Sequence, residues 1–139
     1  MNHFSEFSLS PVLHANLKFN NLTVPTPVQA KSIEPQLEGR DVVVTAQTGT
    51  GKTLAFAIPV LEALHAMPRT KTVKALILSP TRELAIQIDE TFRKLNEGTR
   101  IKTAVVVGGL SEGKQLATIK QGAEVIIATP GRLVDFLNR

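Results

Sequence analysis

The stretch VVVTAQTGTGKTLAF, residues 42–56, decides the fold. A run of β-branched residues, typical of a strand, leads into a glycine-rich turn, and a segment of helix-forming residues follows. Gly49 and Gly51 allow backbone N–H groups to turn inward around phosphate oxygens. Lys52 and Thr53 open the helix, whose positive end attracts anions. A strand, a glycine-rich turn and a helix in this order predict a phosphate-binding loop.

The loop differs from the general consensus at one position. Residues 46–53 match the last three positions of G-x-x-x-x-G-K-[ST], and Ala46 replaces the first glycine. Lys52 can reach the β- and γ-phosphates and the Thr53 hydroxyl can bind Mg²⁺, so these two are the candidate catalytic residues. The alternative is a glycine-rich turn with an exposed lysine. The residues predicted to surround the nucleotide phosphates are Ala46, Gln47, Thr48, Gly49, Thr50, Gly51, Lys52 and Thr53.

Apolar runs alternate with helix-like segments along the rest of the chain. The runs predict strands over 42–45, 75–79, 103–107 and 125–128, and the segments between them predict helices over 53–66, 83–96, 112–121 and 133–137. Two further helices are predicted after N-caps at Ser10 and Thr26, with Pro35 ending or kinking the second. Strands that are apolar throughout indicate an α/β fold, with a parallel sheet covered by helices on both faces. Such sheets bind ligands at the carboxyl ends of their strands.

The composition narrows the class of protein. The 139 residues suggest one domain or part of one, and the absence of cysteine excludes disulfides and thiolate metal sites. No segment is long and apolar enough to cross a membrane, and the N-terminus lacks a secretory layout, so we expect a cytoplasmic protein. The net charge of +4 fits a polyanionic partner or a solvated basic surface. Without Trp or Tyr, a base-stacking platform is not expected.

The hydrolytic machinery looks incomplete in the sequence. A P-loop hydrolase needs an aspartate at the end of another strand to organise Mg²⁺, and no predicted strand delivers one. The acidic pair Asp89–Glu90 lies within a predicted helix, where we expect a solvated face. A P-loop GTPase or a small-molecule kinase is an alternative interpretation, although the guanine-binding pattern N-K-x-D is absent.

Five stretches in one order resemble a known family. They are VPTPVQ (24–29), AQTGTGKT (46–53), SPTRELA (79–85), VVVGG (105–109) and ATPGRLVD (128–135). Together they resemble the first RecA-like domain of the DEAD-box ATP-dependent RNA helicases, whose loop also has alanine at the position of Ala46. The resemblance covers residues 4–139 and implies a RecA-like P-loop NTPase domain that is truncated at its C-terminus. It implies a Q-motif region for adenine recognition over 1–40 and a P-loop core over 41–139, with the second RecA-like domain absent.

The resemblance also implies roles for individual residues. Gln29 would read the adenine edge, with Pro27 in the same motif and Phe4 packed on the adenine; Phe7 is the near alternative to Phe4. Three loops would hold the RNA sugar-phosphate backbone without reading base sequence. Their residues are Pro80, Thr81 and Arg82 of motif Ia, Gly108 and Gly109 of the glycine doublet, and Thr129, Pro130, Gly131 and Arg132 of motif Ib.

The chain departs from the family just before the Q motif. Asn21 and Leu22 stand where the family usually has glycine and an aromatic residue; asparagine tolerates the left-handed backbone that such a turn uses. The function implied is that of an ATP- and Mg²⁺-dependent RNA helicase that unwinds short duplexes. Without the D-E-A-D and S-A-T motifs, we expect the chain alone not to hydrolyse ATP, and a non-catalytic adenine-nucleotide or RNA-binding module is the alternative. Exposed strand edges in the truncated sheet would favour self-association.

Overall fold

A computed structural model describes residues 2–46, 51–68 and 70–138. The chain divides into two compact units, Met1–Met67 with Lys94–Thr99 and Pro68–Arg93 with Arg100–Arg139. No described helix has the length and apolar character needed to span a membrane. The elements in order are a 3₁₀ helix at Phe4–Glu6, α1 (Pro11–Phe19), α2 (Pro27–Leu37), α3 (Lys52–His65), β1 (Ala75–Leu78), α4 (Arg82–Leu95), β2 (Thr103–Val106), α5 (Glu112–Lys120), β3 (Val125–Ala128) and α6 (Pro130–Leu137).

The second unit contains a three-stranded parallel sheet in the order β1-β3-β2. Leu78 of β1 and Val106 of β2 both pair with Ala128 of β3, so the three strands end at the same edge. All four residues of β3 are buried, as expected for a central strand with both faces covered. The predicted α/β fold and the three strands after residue 70 are therefore confirmed.

One face of the sheet packs against the two helices that flank β3 in sequence. Val106, Ile126 and Ala128 form its buried cluster, and Ile119 of α5 and Phe136 of α6 lie against that cluster, together with Leu133. Successive side chains of a strand point to opposite faces of the sheet, so Ile126 and Ala128 lie on the same face of β3, under α5 and α6.

Helix α4 is attached to β2 by a buried carboxylate. Asp89 is 5% exposed. Its carboxylate accepts a hydrogen bond from the Thr103 hydroxyl at 2.6 Å and forms an ion pair with Arg93 at 2.7 Å. The prediction that Asp89 belongs to a solvated face is wrong, whereas Glu90 is exposed as expected. Asp89 follows the buried Ile88 on the inner side of α4, and the Thr103 hydroxyl satisfies the carboxylate there.

The first unit is built on α1, α2 and α3. Its buried apolar side chains include Leu13 and Leu17 of α1, Ile33 of α2 and Leu61 of α3. The Asn16 amide donates to the carbonyls of Leu95 and Glu97, at 2.7 and 2.9 Å, which holds segment 94–99 in this unit. Helix α2 continues through Pro35 to Leu37 instead of ending at the proline.

The strand predicted over 42–45 is not formed. The segment has no regular secondary structure; Val43 is 97% exposed, and Val42 and Val44 are each 36% exposed. Three valines have a high strand propensity, but a strand also needs a neighbour to accept and donate its backbone hydrogen bonds. Among the described residues, no strand pairs with this segment. The prediction was therefore wrong, because it rested on the strand propensity of the valines, and a sequence does not show whether a neighbouring strand is present to pair with them.

Candidate functional site

The start of α2 fixes the side chain of Gln29. Thr26 is the N-cap, and its hydroxyl accepts a hydrogen bond from the Gln29 backbone N–H at 3.4 Å. In return the Gln29 side-chain oxygen accepts from the Thr26 backbone N–H at 2.9 Å. This reciprocal capping box holds one rotamer of Gln29, which is 2% exposed. The predicted cap at Thr26 is confirmed.

The same amide contacts the residue that begins the phosphate-loop helix. Gln29 Nε2 donates to the carbonyl of Gly51 at 3.0 Å, and Gly51 is the N-cap of α3 with φ of 85°. A Cβ atom at residue 51 would overlap Gln29 Nε2, so glycine is needed here for its backbone angle and for space. The structure thus brings together two of the residues predicted to bind nucleotide.

Lys52 and Thr53 lie on the first turn of α3. Lys52 is exposed and Thr53 is half-buried, at the helix end where N–H groups lack intrahelical partners. The predicted loop residues Gln47, Thr48, Gly49 and Thr50 lie outside the described residues. No group of histidine, aspartate and glutamate side chains in the described part of the chain forms a metal site. The Thr53 hydroxyl stays a prediction as a Mg²⁺ ligand.

Two cavities adjoin this region. One, of about 500 Å³, is lined by residues of α2 and of segment 42–46, including Pro27 and Ala46, which were predicted to contact the nucleotide. The other, of about 250 Å³, is lined by residues that include Gln36, Lys52 and Ala55. The lining of the larger cavity includes neither Gln29 nor Lys52 and is largely apolar. The polar groups at the start of α3, rather than cavity size, therefore define the candidate nucleotide site.

The aromatic residues of the N-terminus belong to the core of the first unit. Phe4 and Phe7 are each 2% exposed, with ring centroids 6.0 Å apart. The Phe4 backbone N–H donates to the carbonyl of Thr23 at 2.9 Å, which ties this segment to the turn before α2. Asn21 in that turn has φ of 59°, so the expected left-handed backbone is confirmed. The predicted contact of Phe4, or of Phe7, with adenine stays a prediction.

In the second unit, three predicted RNA-binding loops follow the three strand ends at one edge of the sheet. The Ser79 N–H donates to the carbonyl of Ala128 at 2.9 Å, and the Thr129 N–H donates to that of Val106 at 3.1 Å, so the ladder extends into the loops. Pro80 and Thr81 follow β1, Gly108 and Gly109 follow β2, and Thr129, Pro130 and Gly131 follow β3. The parallel register therefore brings all three motifs to the same edge.

Arg82 and Gly109 are in direct contact across this edge. Gly109 has φ of 81°, and a Cβ atom there would overlap Arg82 Nη1. The Arg82 side chain is 47% exposed and lies 3.6 Å from the Glu83 carboxylate. Thr81 Oγ1 accepts from the Leu84 N–H at 3.2 Å, which leaves the Thr81 hydroxyl proton free to donate. An exposed guanidinium, a hydroxyl donor and an approachable backbone suit a phosphate backbone.

Arg132 is held inside the protein rather than presented at the surface. Its guanidinium donates from Nη1 to Glu112 at 2.8 Å, from Nη2 to the Leu110 carbonyl at 2.7 Å and from Nε to Gln115 at 3.4 Å. It also lies over the ring of Phe136, 5.4 Å from the centroid, and its side chain is 12% exposed. Sequence reasoning missed Glu112 and Gln115 as partners, since the amphipathic pattern of α5 gives no signal for them.

The comparisons with known proteins agree with these motifs. Residues 26–139 match the family model described as DEAD/DEAH box helicase. The ATP-dependent rRNA helicase RRP3 of Yarrowia lipolytica is 53% identical over 87% of this chain and 24% of its own length. A probable ATP-dependent RNA helicase of Homo sapiens, DDX59, is 48% identical over 98% of the chain and 22% of its own length. The DEAD-box ATP-dependent RNA helicase RhpA of Helicobacter pylori is 46% identical over 96% of this chain and 27% of its own length.

A solved structure has the same fold. The crystal structure of a DEAD box protein from the hyperthermophile Methanococcus jannaschii superposes with a TM-score of 0.90 at 35% identity, covering 99% of this chain and 37% of that one. The chain spans about a quarter of the length of the curated relatives described above. The family match over residues 26–139 and these similarities lead to one assignment: the chain belongs to the DEAD/DEAH box helicase family.

Proposed function

We propose that this chain is the ATP-binding part of an RNA helicase that unwinds short duplexes at the expense of ATP hydrolysis. The observation that carries the proposal is the bond from Gln29 Nε2 to the Gly51 carbonyl, which joins the base-reading motif to the phosphate loop. The relatives that resemble the chain are named as ATP-dependent RNA helicases, which supports the same function.

The adenine edge matches the hydrogen-bonding groups of the Gln29 amide that remain available. The amide uses one N–H for Gly51 and one oxygen lone pair for Thr26, so one donor and one acceptor remain. Adenine presents a donor and an acceptor side by side, whereas guanine presents two acceptors on the corresponding edge. Lys52 would bind the β- and γ-phosphates, Thr53 would hold Mg²⁺, and the backbone of residues 46–51 would surround the phosphates.

RNA would bind at the carboxyl edge of the sheet in the second unit. Arg82 would contact a phosphate, the hydroxyls of Thr81 and Thr129 would donate to backbone oxygens, and Gly108 and Gly109 would allow the strand to approach closely. Arg132 would act indirectly, by holding the loop at Leu110. Contacts of this kind give no base readout, so binding would be independent of sequence. Motif Ib contributes Pro130 and Gly131 at the exposed start of α6.

The chain on its own is proposed to bind ATP without hydrolysing it at a measurable rate. None of the described strands ends in an aspartate that could organise Mg²⁺. The second candidate function, a non-catalytic adenine-nucleotide or RNA-binding module, is favoured by the same observation. RNA-stimulated phosphate release from the purified chain would show that the chain hydrolyses ATP, and it would exclude the non-catalytic module as well. The division into a region 1–40 and a core 41–139, and the cytoplasmic location, stay predictions.

Self-association is proposed for the isolated chain. Val43 is 97% exposed in the first unit, and Leu76 and Leu78 of the edge strand β1 are 51% and 56% exposed in the second. Exposed apolar side chains beside an unpaired strand edge favour association between copies.

The proposed function is tested by titrating fluorescent ATP and GTP analogues into the chain with Mg²⁺. We expect the ATP analogue to bind more tightly than the GTP analogue. Lys52→Ala removes a charge-assisted contact and is expected to weaken binding on the order of tenfold or more. Gln29→Ala is expected to reduce the preference for adenine. The proposal would be refuted if the wild type bound the ATP and GTP analogues with equal affinity and Lys52→Ala bound both as tightly as the wild type.

A further inference from the structure

A proline inside α3 leaves one backbone carbonyl without its usual partner. Pro59 is buried in the middle of the helix and has no N–H, so the intrahelical bond from residue 59 to the carbonyl of Ala55 cannot form. Ala55 is 3% exposed, and leaving a buried backbone carbonyl without a hydrogen-bond donor costs free energy. A carbonyl in that position needs a donor from elsewhere.

Helix α2 supplies that donor through a side chain. Gln36 Nε2 lies 2.8 Å from the Ala55 carbonyl and donates to it, and the same nitrogen donates to the Ser32 carbonyl at 2.9 Å within α2. Both amide protons of Gln36 are therefore used. One of them ties its own helix and the other reaches the helix that follows the phosphate loop.

This bond is the second of two that join the same pair of helices. Gln29 and Gln36 lie about two turns apart on one face of α2, and their acceptors Gly51 and Ala55 lie about one turn apart at the start of α3. Two bonds from one helix face to successive carbonyls fix both the position and the rotation of the first turn of α3.

We propose that Gln36 is a positioning residue for the nucleotide phosphates, acting through the carbonyl that Pro59 leaves free. The inference rests on the proposed ATP binding, because the first turn of α3 holds Lys52 and Thr53. Gln36 itself does not touch the nucleotide. Losing its bond lets that turn shift, which weakens phosphate contacts and leaves the reading of the base by Gln29 unchanged.

The test uses Gln36→Met and Pro59→Ala in the whole chain, singly and together. Gln36→Met removes the amide at similar length and is expected to weaken binding of the ATP analogue about tenfold, because α3 loses one of its two side-chain hydrogen bonds to α2. Pro59→Ala restores an N–H that can donate to Ala55. That N–H satisfies the Ala55 carbonyl but does not tie α3 to α2, so the double variant is expected to bind the ATP analogue as weakly as Gln36→Met does. Gln87→Met, an exposed change on α4, is the matched control and is expected to bind like the wild type.

The base preference separates positioning from a general loss of structure. Gln36→Met is expected to weaken the ATP and GTP analogues by the same factor, whereas Gln29→Ala changes their ratio. If Gln36→Met does not fold, as judged by circular dichroism, Gln36→Asn takes its place, because it keeps an amide that is one methylene too short to reach Ala55.

The outcomes distinguish this inference from the proposed function. If Gln36→Met and Gln36→Asn bind the ATP analogue as tightly as the wild type while Lys52→Ala binds it more weakly, the inference is overturned and the proposed function stands. Recovery of binding in the double variant also overturns it, because the loss in Gln36→Met would then come from the unsatisfied Ala55 carbonyl and not from the missing tie to α2. If the wild type does not bind either analogue, the proposed function fails and the inference fails with it.

Discussion

Replacing Arg132 with alanine tests whether this motif Ib residue supports the fold or contacts RNA directly. The guanidinium makes three hydrogen bonds inside the second unit, to Glu112, Gln115 and the carbonyl of Leu110. All three disappear in Arg132→Ala, together with the contact over the Phe136 ring. The structure thus predicts a loss of stability, and a role confined to RNA contact predicts none.

The magnitude follows from the exposure of each partner. The ion pair to Glu112, whose side chain is 39% exposed, contributes about 1 kcal/mol, because water screens it partly. The bonds to Leu110 and Gln115 contribute about 0.5–1 kcal/mol each, and the contact with the Phe136 ring contributes about 0.5 kcal/mol. The free energy of unfolding is therefore expected to fall by about 2.5–3.5 kcal/mol. Arg132→Lys keeps the charge but can reach fewer of these acceptors, so we expect it to recover less than half of that loss.

The assay is urea denaturation followed by circular dichroism, with Arg82→Ala as the matched control. Arg82 is 47% exposed and pairs only loosely with Glu83, so its removal is expected to change stability by less than about 0.5 kcal/mol. Arg82→Ala should instead weaken RNA binding equally for all sequences and reduce the salt slope by about one. The reasoning is refuted if Arg132→Ala unfolds at the same urea concentration as the control while its RNA affinity falls.

Three further predictions concern glycines and an exposed valine. Gly109→Ala is expected to destabilise the second unit by about 1–2 kcal/mol, because of its φ of 81° and the overlap with Arg82, whereas Gly108→Ala, where a Cβ atom meets nothing within 4 Å, should be nearly neutral in urea denaturation. Gly51→Ala is expected to abolish binding of the ATP analogue, since its Cβ displaces the Gln29 amide; unchanged affinity in the titration would contradict this. Val43→Lys should reduce self-association in light scattering without lowering the melting temperature, because the side chain is 97% exposed.

Local sequence signals predicted the parts of the fold that depend on local chemistry. The cap at Thr26 follows from residue type, and the left-handed turn at Asn21 was expected from the glycine that the resembled family has there and from the tolerance of asparagine for that angle; both are present. The buried strand β3 follows from its continuous apolar run, which needs no knowledge of neighbours to be recognised. These features are set within a few residues of sequence, so a single sequence is sufficient for them.

The features that the sequence did not predict all depend on a partner distant in the chain. The valines of segment 42–44 have strand propensity without a pairing strand, and Asp89 is buried because Thr103 approaches it. The engagement of Arg132 depends on Glu112, twenty positions away by the numbering, and no periodic pattern marks that contact. Charge suggested a solvated Asp89, which the contact with Thr103 contradicts, whereas the family resemblance suggested Arg132 as an RNA contact and gave no signal for its partners inside the protein.

The two glycines with recognition side chains against them share one physical arrangement. Gly51 is approached by the Gln29 amide and Gly109 by the Arg82 guanidinium, and both have φ above 80°. In each case the missing Cβ lets a side chain from another element lie directly on the backbone of a loop that follows a strand or begins a helix. A left-handed angle alone would require glycine at Gly39 and Gly98 as well, but a Cβ atom there meets nothing. Space for the recognition side chain is therefore the property that distinguishes Gly51 and Gly109, and it ties each loop to the residue proposed to read the ligand.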